Sequence, residues 1–234
     1  IKDGLAKVLN RPFIFISLGG ISNVSFFNGH SFTYEGSTFG KIAEALMYAD
    51  CMNPIIYFDE LDKVGETPHG EEIINLLIHL TDSSQNECFN DKYFSSIPID
   101  LLQCLFIFSF NNIGKINPIL LDRLSIINVN NYNIDEKCTI GLKYLLPKIY
   151  QEFKLDDNHI TITEDNIKYI LTNYIEETGG VRPLKKCLNK IVSRINYLLF
   201  MQNYELFNNY HNTKKIVLDN KIINNLIKNN NLER

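Results

Sequence analysis

The first half of the chain alternates two patterns of apolar residues. Short, near-continuous runs rich in aromatic and β-branched residues occur at "PFIFISL" (12–18), "PIIYF" (54–58), "LLQCLFIFSF" (101–110) and "IINV" (126–129). Such runs predict strands. The stretches "DGLAKVLN" (3–10), "FGKIAEALMYAD" (39–50), "GEEIINLLIHLTD" (70–82) and "NPILLDRLS" (117–125) predict helices. In the third of these, Ile73, Leu76, Leu77 and Leu80 recur at helical spacing. Strands apolar on both faces and separated by helices predict a parallel sheet covered on both sides. Ligands of such sheets bind beyond the C-terminal ends of the strands. Those ends are where chemistry is to be sought.

The pattern changes after about Tyr132. Helical periodicity then dominates, in "DEKCTIGLKYLLPKIYQEF" (135–153), "TEDNIKYILTNYIEET" (163–178) and "RPLKKCLNKIVSRINYLLFMQ" (182–202). Two short β-like pieces, "HITIT" (159–163) and "KKIVLD" (214–219), lie between and after them. This predicts an α/β domain over residues 1–130 and a smaller, mostly helical domain over 131–234. The chain starts at Ile1 inside a helical pattern and closes on the asparagine-rich "NNLIKNNNLER" (224–234), which has the composition of a linker. Both ends are therefore expected to be internal points of a longer protein.

Composition narrows the classes. The 234 residues are 45% hydrophobic and 21% charged, as in ordinary globular proteins with a real core. A net charge of -4 argues against nucleic acid as the main partner. No apolar run approaches the ~20 residues needed to span a bilayer, so a membrane partner is not expected. Five dispersed cysteines without a C-x-x-C pair suit a reducing interior, cytoplasm or mitochondrial matrix, better than a disulfide framework or zinc site. The five histidines show no ligand spacing on one helix face, and His79 is expected to be a packed or surface residue.

Four elements carry candidate chemistry. "PIIYFDELDK" (54–63) ends a buried run on Asp59 and Glu60, and carboxylates are costly there unless they face an open crevice. In phosphate chemistry the first acid of such a pair holds magnesium and the second polarises the attacking water. The plain alternative is an acidic helix cap. "LFIFSFNN" (105–112) ends a buried run on Asn111 and Asn112, either of which could hydrogen-bond a phosphate and a water, or simply make a turn. "PILLDRL" (118–124) carries Arg123, a surface group unless a neighbouring subunit presents a nucleotide to it. "EETGGVRPLKK" (176–186) is expected to end one helix at Gly179 and Gly180 and to open the next at Pro183, projecting Arg182 from the helix start. A guanidinium there could reach a phosphate.

In this order the four elements resemble an AAA+ ATPase. The segments "LGGISN", "NGHSFTYEGSTFGKIAEAL", "NPIIYFDELDK", "QNECFNDKYF", "ILLDRLSIINVNNY", "LLPK" and "TGGVRPL" resemble, more narrowly, the ATPase module of Lon-type ATP-dependent proteases. The resemblance covers essentially the whole chain, and "QNECFNDKYF" (85–94) is particularly specific because AAA+ modules in general lack it. It implies a P-loop NTPase-like parallel sheet flanked by helices and followed by a small helical lid. It also implies ATP and Mg2+ as cofactors, protein substrates, and a homo-oligomeric, hexameric ring.

By this resemblance Asp59 coordinates magnesium, Glu60 activates water, and Asn111 is the sensing amide unless a one-residue gap gives that role to Asn112. Arg123 is the arginine finger completing the neighbour's site, and Arg182 the sensing arginine of the lid. The loop "SFTYEGS" (31–37) matches the pore loop, with Tyr34 gripping the translocating polypeptide or, alternatively, packing as an ordinary aromatic. Glu35 departs from the pattern, where the family usually has an aliphatic residue. A second pore loop falls at "VGETPHG" (64–70). The phosphate loop G-x-x-x-x-G-K-[ST] is not in the sequence; the resemblance expects it to end about two or three residues before Ile1. "GSTFGKI" (36–42) has the wrong spacing and is expected to turn a loop into a helix. A serine–lysine peptidase half is expected downstream, so the chain alone is expected neither to cut peptides nor to bind ATP tightly.

Two readings of function result. One is the motor of an ATP-dependent serine protease that unfolds and threads substrates. The other is a catalytically inactive homologue acting as a structural or chaperone-like ring subunit. The retained Glu60, Arg123 and Arg182 favour the first, and Glu35 and the missing phosphate loop keep the second open; against a third, another AAA+ machine such as a clamp loader or helicase, stand the acidic balance and the Lon-like segments.

Overall fold

The computed structural model of the chain describes residues 1–33, 35–65, 67–95, 97–155, 160–176, 180–203, 206–207 and 216–228. It divides into two compact units, Ile1–Ile126 and Ile127–Arg234.

The first unit opens with a π-helical turn (Lys2–Ala6) that runs into α1 (Lys7–Leu9). Then come β1 (Phe13–Ser17), α2 (Ser25–Asn28), α3 (Lys41–Ala49), β2 (Ile55–Asp59) and α4 (Pro68–Thr81). A short antiparallel pair, β3 (Phe89–Asn90) and β4 (Pro98–Ile99), precedes β5 (Leu105–Phe108) and α5 (Pro118–Asp122). The main sheet has the order β1–β2–β5 and is parallel throughout, with Phe13 opposite Ile55 and Ile55 opposite Leu105. Arg11 secures its N-terminal end, donating to the carbonyls of Asn53 and Gln103, the loops that lead into β2 and β5. Helix starts are capped locally. Thr67 accepts from the Gly70 N–H at 3.1 Å ahead of Pro68, and Asn117 accepts from Ile119 ahead of Pro118.

The core lies on one face of this sheet. Ile14, Ile16, Ile56 and Phe58 pack with Ile42, Ala45 and Leu46 of α3 and Ile73, Leu77 and Leu80 of α4. Phe58 stacks on Phe108 at 5.0 Å. The alternate residues Phe13, Phe15 and Tyr57 share the other face as a cluster of rings, and Phe15 stays 54% exposed. The sheet is thus less covered than the apolar runs predict.

The predicted fourth strand is not formed. Residues 126–129 are irregular, with Ile127 and Val129 exposed, where the chain passes from one unit to the next. Apolar side chains make a strand only where a neighbour supplies ladder hydrogen bonds.

The second unit is helical. Asn133 and Glu136 form a reciprocal capping box on α6 (Ile134–Ile140), which continues through a π-turn (Gly141–Leu145) into α7 (Leu146–Phe153). Pro147 follows that turn, and a proline inside a helix removes the N–H that the regular ladder would use. The two β-like pieces are strands β6 (Ile160–Thr161) and β7 (Ile216–Val217), paired in parallel. Helix α8 (Glu164–Tyr174) starts in a second capping box, Thr163 with Asn166, and α9 (Arg182–Phe200) buries Leu184, Leu188, Ile191, Val192, Ile195 and Leu198.

Two expectations in this unit need correction. Helix α8 ends at Tyr174, ahead of the glycines expected to end it; Gly179 is outside the described residues. The expected linker is also partly structured, because α10 (Asn220–Lys228) covers its first residues. Its Ile222, Ile223 and Leu226 are buried, and its terminal carbonyls accept from Arg194 and Lys190 of α9. Asparagine-rich composition hid an apolar stripe.

Candidate functional site

The three strand ends of the first unit are laced together. Leu18 N–H donates to the Asp59 carbonyl, Ser109 N–H to the Phe58 carbonyl and Leu61 N–H to the Ser109 carbonyl, each at 2.9 Å. This brings Gly19, Asp59, Glu60 and Ser109 to one edge of the sheet.

Asp59 is half-buried, and its Oδ1 accepts from the Ser109 hydroxyl and, at 3.4 Å, from Tyr57. These bonds orient the carboxylate and do not use Oδ2. Magnesium takes one or two protein carboxylates and fills its remaining positions with water and substrate phosphates, so this single oriented acid fits such an ion.

Glu60 has φ 61° and ψ 46°, a left-handed conformation that disfavours side chains with a Cβ by about 1 kcal/mol or more. The turn redirects the chain at once after β2 and lays the Glu60 carboxylate over the end of β1. A Cβ built on Gly19 would stand 2.4 Å from Glu60 Oε2, so only glycine leaves room for the carboxylate there. Asn10, Asp50, Lys154 and Gln202 share this left-handed conformation; Glu60 differs in standing directly at the end of a strand of the main sheet, with its carboxylate against Gly19.

The two asparagines differ. Asn112 Oδ1 accepts from the Gly114 N–H at 2.9 Å and caps a short 3₁₀ turn, which fixes its side chain locally. Asn111 is exposed, two residues beyond Ser109. Arg123 ends α5 and pairs with Asp82 at 2.6 Å, beyond the end of α4. The Ser84 hydroxyl first, and Arg123 second, hold the Asp82 carboxyl down to about 2. Arg182 is exposed at the first position of α9 in the second unit, with Pro183 next in the opening turn. Thus Asp59, Glu60, Asn111 and Arg123 belong to the first unit and Arg182 to the second.

The aromatic Tyr34 lies outside the described residues. Its neighbour Glu35 is exposed in a turn at Gly36, whose φ is +75°. Gly40 of the phosphate-loop decoy stands at the N-cap of α3.

Sequence reasoning missed Ser109, Gly19 and Asp82. Ser109 is the one polar residue inside "FIFSF", a signal that was present; Gly19 looked like an ordinary turn glycine. Asp82 and Arg123 are 41 residues apart, and nothing in the sequence pairs them.

Residues 3–132 match the family of ATPases associated with various cellular activities (AAA). The chain is 35% identical over 209 residues to the Lon protease homolog of Acanthamoeba polyphaga mimivirus, covering 89% of this chain and 20% of that protein. It is 39% identical over 197 residues to the mitochondrial Lon protease homolog of Schizosaccharomyces pombe, covering 84% and 18%. It is 37% identical over 195 residues to the Lon protease of Clostridioides difficile, covering 83% and 24%. The chain therefore spans between 18% and 24% of the length of these relatives. Among solved structures, S. cerevisiae Hsp104 in its casein complex, extended conformation, aligns with a TM-score of 0.64 at 18% identity, over 86% of this chain and 38% of that one. At that identity the likeness concerns the fold alone.

Proposed function

Because this chain belongs to the AAA family of ATPases, we propose that it is the ATP-driven motor of a Lon-type protease, working on protein substrates in a homo-hexameric ring. The observation that carries this reading is the Asp59–Glu60 pair. One acid is oriented by Ser109, and the next is turned by a strained backbone over Gly19.

On this reading ATP lies beyond the strand ends. Asp59 presents Oδ2 toward magnesium, which when bound would offset negative charge on the phosphates. Glu60 accepts a proton from the attacking water and fixes its direction, the task of a general base. Asn111 donates its amide to the phosphate side of the same water. Its freedom from local capping, in contrast to Asn112, supports that choice. Arg123 serves the site of the neighbouring subunit, and Arg182 that of its own. The loop around Tyr34 and Glu35 contacts the polypeptide being moved toward a serine peptidase domain. Cytoplasm and mitochondrial matrix are the compartments this reading allows.

The test is ATP turnover and ATP-dependent degradation of an unfolded protein by the full-length protein, alongside Glu60→Gln. We expect the variant to keep nucleotide binding and to lose hydrolysis by about 10²–10⁴-fold, with degradation lost in parallel. Nucleotide binding without hydrolysis in the unaltered protein would instead support the inactive ring subunit.

A further inference from the structure

We propose that Asp91 is the positioning residue that anchors the Gly29–Gly40 loop to the body of the first unit, so that force on the loop reaches the sheet. The inference rests on the motor reading above and adds to it a residue and a segment with no role there.

Asp91 has no exposed surface. Burying a carboxylate is costly unless its oxygens are hydrogen-bonded, and charge-assisted bonds to N–H groups are the strong kind. Its Oδ2 accepts from the Gly40 N–H at 2.7 Å and its Oδ1 from the Tyr93 N–H at 2.9 Å. Gly40 is the N-cap of α3 and has no side chain with which to cap it. Asp91, 51 positions away, accepts from the N–H of Gly40 itself and so sets a negative charge beside the helix N-terminus.

The other leg of the loop is tied to the same segment. Lys92 N–H donates to the Asn28 carbonyl at 2.7 Å, and His30 N–H closes the neck on the Thr38 carbonyl at 3.1 Å. Two glycines make the approach possible. A Cβ on Gly29 would lie 2.8 Å from Asp91 Oδ1, and one on Gly40 would lie 2.1 Å from the Phe27 carbonyl oxygen. Phe39, next to Gly40, stacks on Phe94 at 6.0 Å and meets Tyr93 edge-on at 6.1 Å. Beyond this neck the loop projects into solvent, with Phe32 63% exposed.

The segment 88–94 thus grips both legs of a projecting loop through one backbone hydrogen bond, the Asp91 carboxylate and two ring contacts of Phe39. A loop that pulls on a polypeptide transmits no more force than its base withstands. The neck is that base, and Asp91 holds its α3 side.

Asp91→Asn keeps the shape and one acceptor but sets an amide N–H2 against an N–H. In the full-length protein we expect basal ATP turnover to stay within about twofold, while degradation of unfolded protein per ATP hydrolysed falls about tenfold. Hydrogen exchange at residues 30–39 should accelerate at least about tenfold, with β1 and β2 unchanged. Phe39→Ala, which attacks the same neck without touching the carboxylate, should reproduce the split more mildly. Parallel loss of turnover and degradation in both variants would make Asp91 merely structural and overturn the proposal, as would unchanged coupling and exchange. If the unaltered protein shows no ATP-dependent degradation, the motor reading falls, and exchange at residues 30–39 still decides whether Asp91 anchors the loop.

Discussion

The two units of the chain treat their apolar side chains differently. The second closes around a core in which Ile149, Ile167, Leu188, Ile191, Val192, Ile195 and Ile223 have no exposed surface. The first leaves a cluster of rings, Phe13, Phe15 and Tyr57, on a half-covered sheet face. It also spends backbone strain at Glu60 to aim one carboxylate. Left-handed backbone occurs in both units, at Lys154 and Gln202 of the second as well, but at Glu60 it falls directly at the end of a strand of the main sheet. Arg182 is exposed at the start of α9, whose other face is buried along most of its length.

The sharpest way to break this contrast is to remove one side chain from each unit. Leu188→Ala should cost about 2–5 kcal/mol, because a fully buried leucine leaves a cavity as well as lost burial. Hydrogen exchange should report the loss across α8, α9 and α10. Phe15→Ala, removing a ring already half in solvent, should cost about 1 kcal/mol or less. Equal losses in denaturant titrations would mean that the sheet face is as tightly packed as the helical core.

Much of this was legible in the sequence. The three long apolar runs became β1, β2 and β5 in one parallel sheet, and Asp59 and Glu60 fell at a strand end. Two helix starts were legible because their signals are local, Pro118 and Pro183 in first turns, whereas α4 opens at Pro68, inside the stretch expected as a second pore loop. What failed depended on partners. Whether 126–129 forms a strand is decided by a neighbouring backbone, and whether 220–228 forms a helix is decided by the surface it covers. The Ser109–Asp59 bond, the Gly19–Glu60 contact and the Asp91 anchor join residues about 40–50 positions apart, a scale on which periodicity is silent. The sequence pointed to the acids and could not say how they are aimed.

A finer probe of the first unit is Gly19→Ala. The added methyl meets only the end of the Glu60 side chain, which can swing aside, so stability should change by about 0.5 kcal/mol or less. The displaced carboxylate should lower ATP turnover about tenfold, equivalent to about 1.4 kcal/mol of barrier. Loss of both stability and turnover would mean that Glu60 is held by the fold and has no room to move. Unchanged turnover would remove Gly19 from the site.

The smallest effect concerns two arginines. Arg194, buried in the second unit, donates to the carbonyl of Leu226 and pairs with no carboxylate among the described residues. Arg123, in the first unit, is held by Asp82, whose carboxyl is lowered to about 2, by Ser84 before Arg123. A lowered carboxyl contributes its stabilisation fully above the ordinary range near 4 and loses it as pH falls through about 2. Acid from pH 4 to 2 should therefore release Arg123 while leaving the Arg194 contact in place, seen as a shift of the Asp82 carboxyl carbon and the Arg123 guanidinium in NMR spectra. Ser84→Ala, which removes the hydroxyl bond and keeps the backbone one, and Arg123→Ala should each raise the Asp82 midpoint. An unchanged midpoint in Arg123→Ala would mean that the ion pair does not hold the carboxyl down. On the proposed reading, Arg123 must leave Asp82 to meet a neighbour's phosphate, and a half-buried carboxylate pair can exchange in this way more readily than the bond of Arg194 to a buried carbonyl.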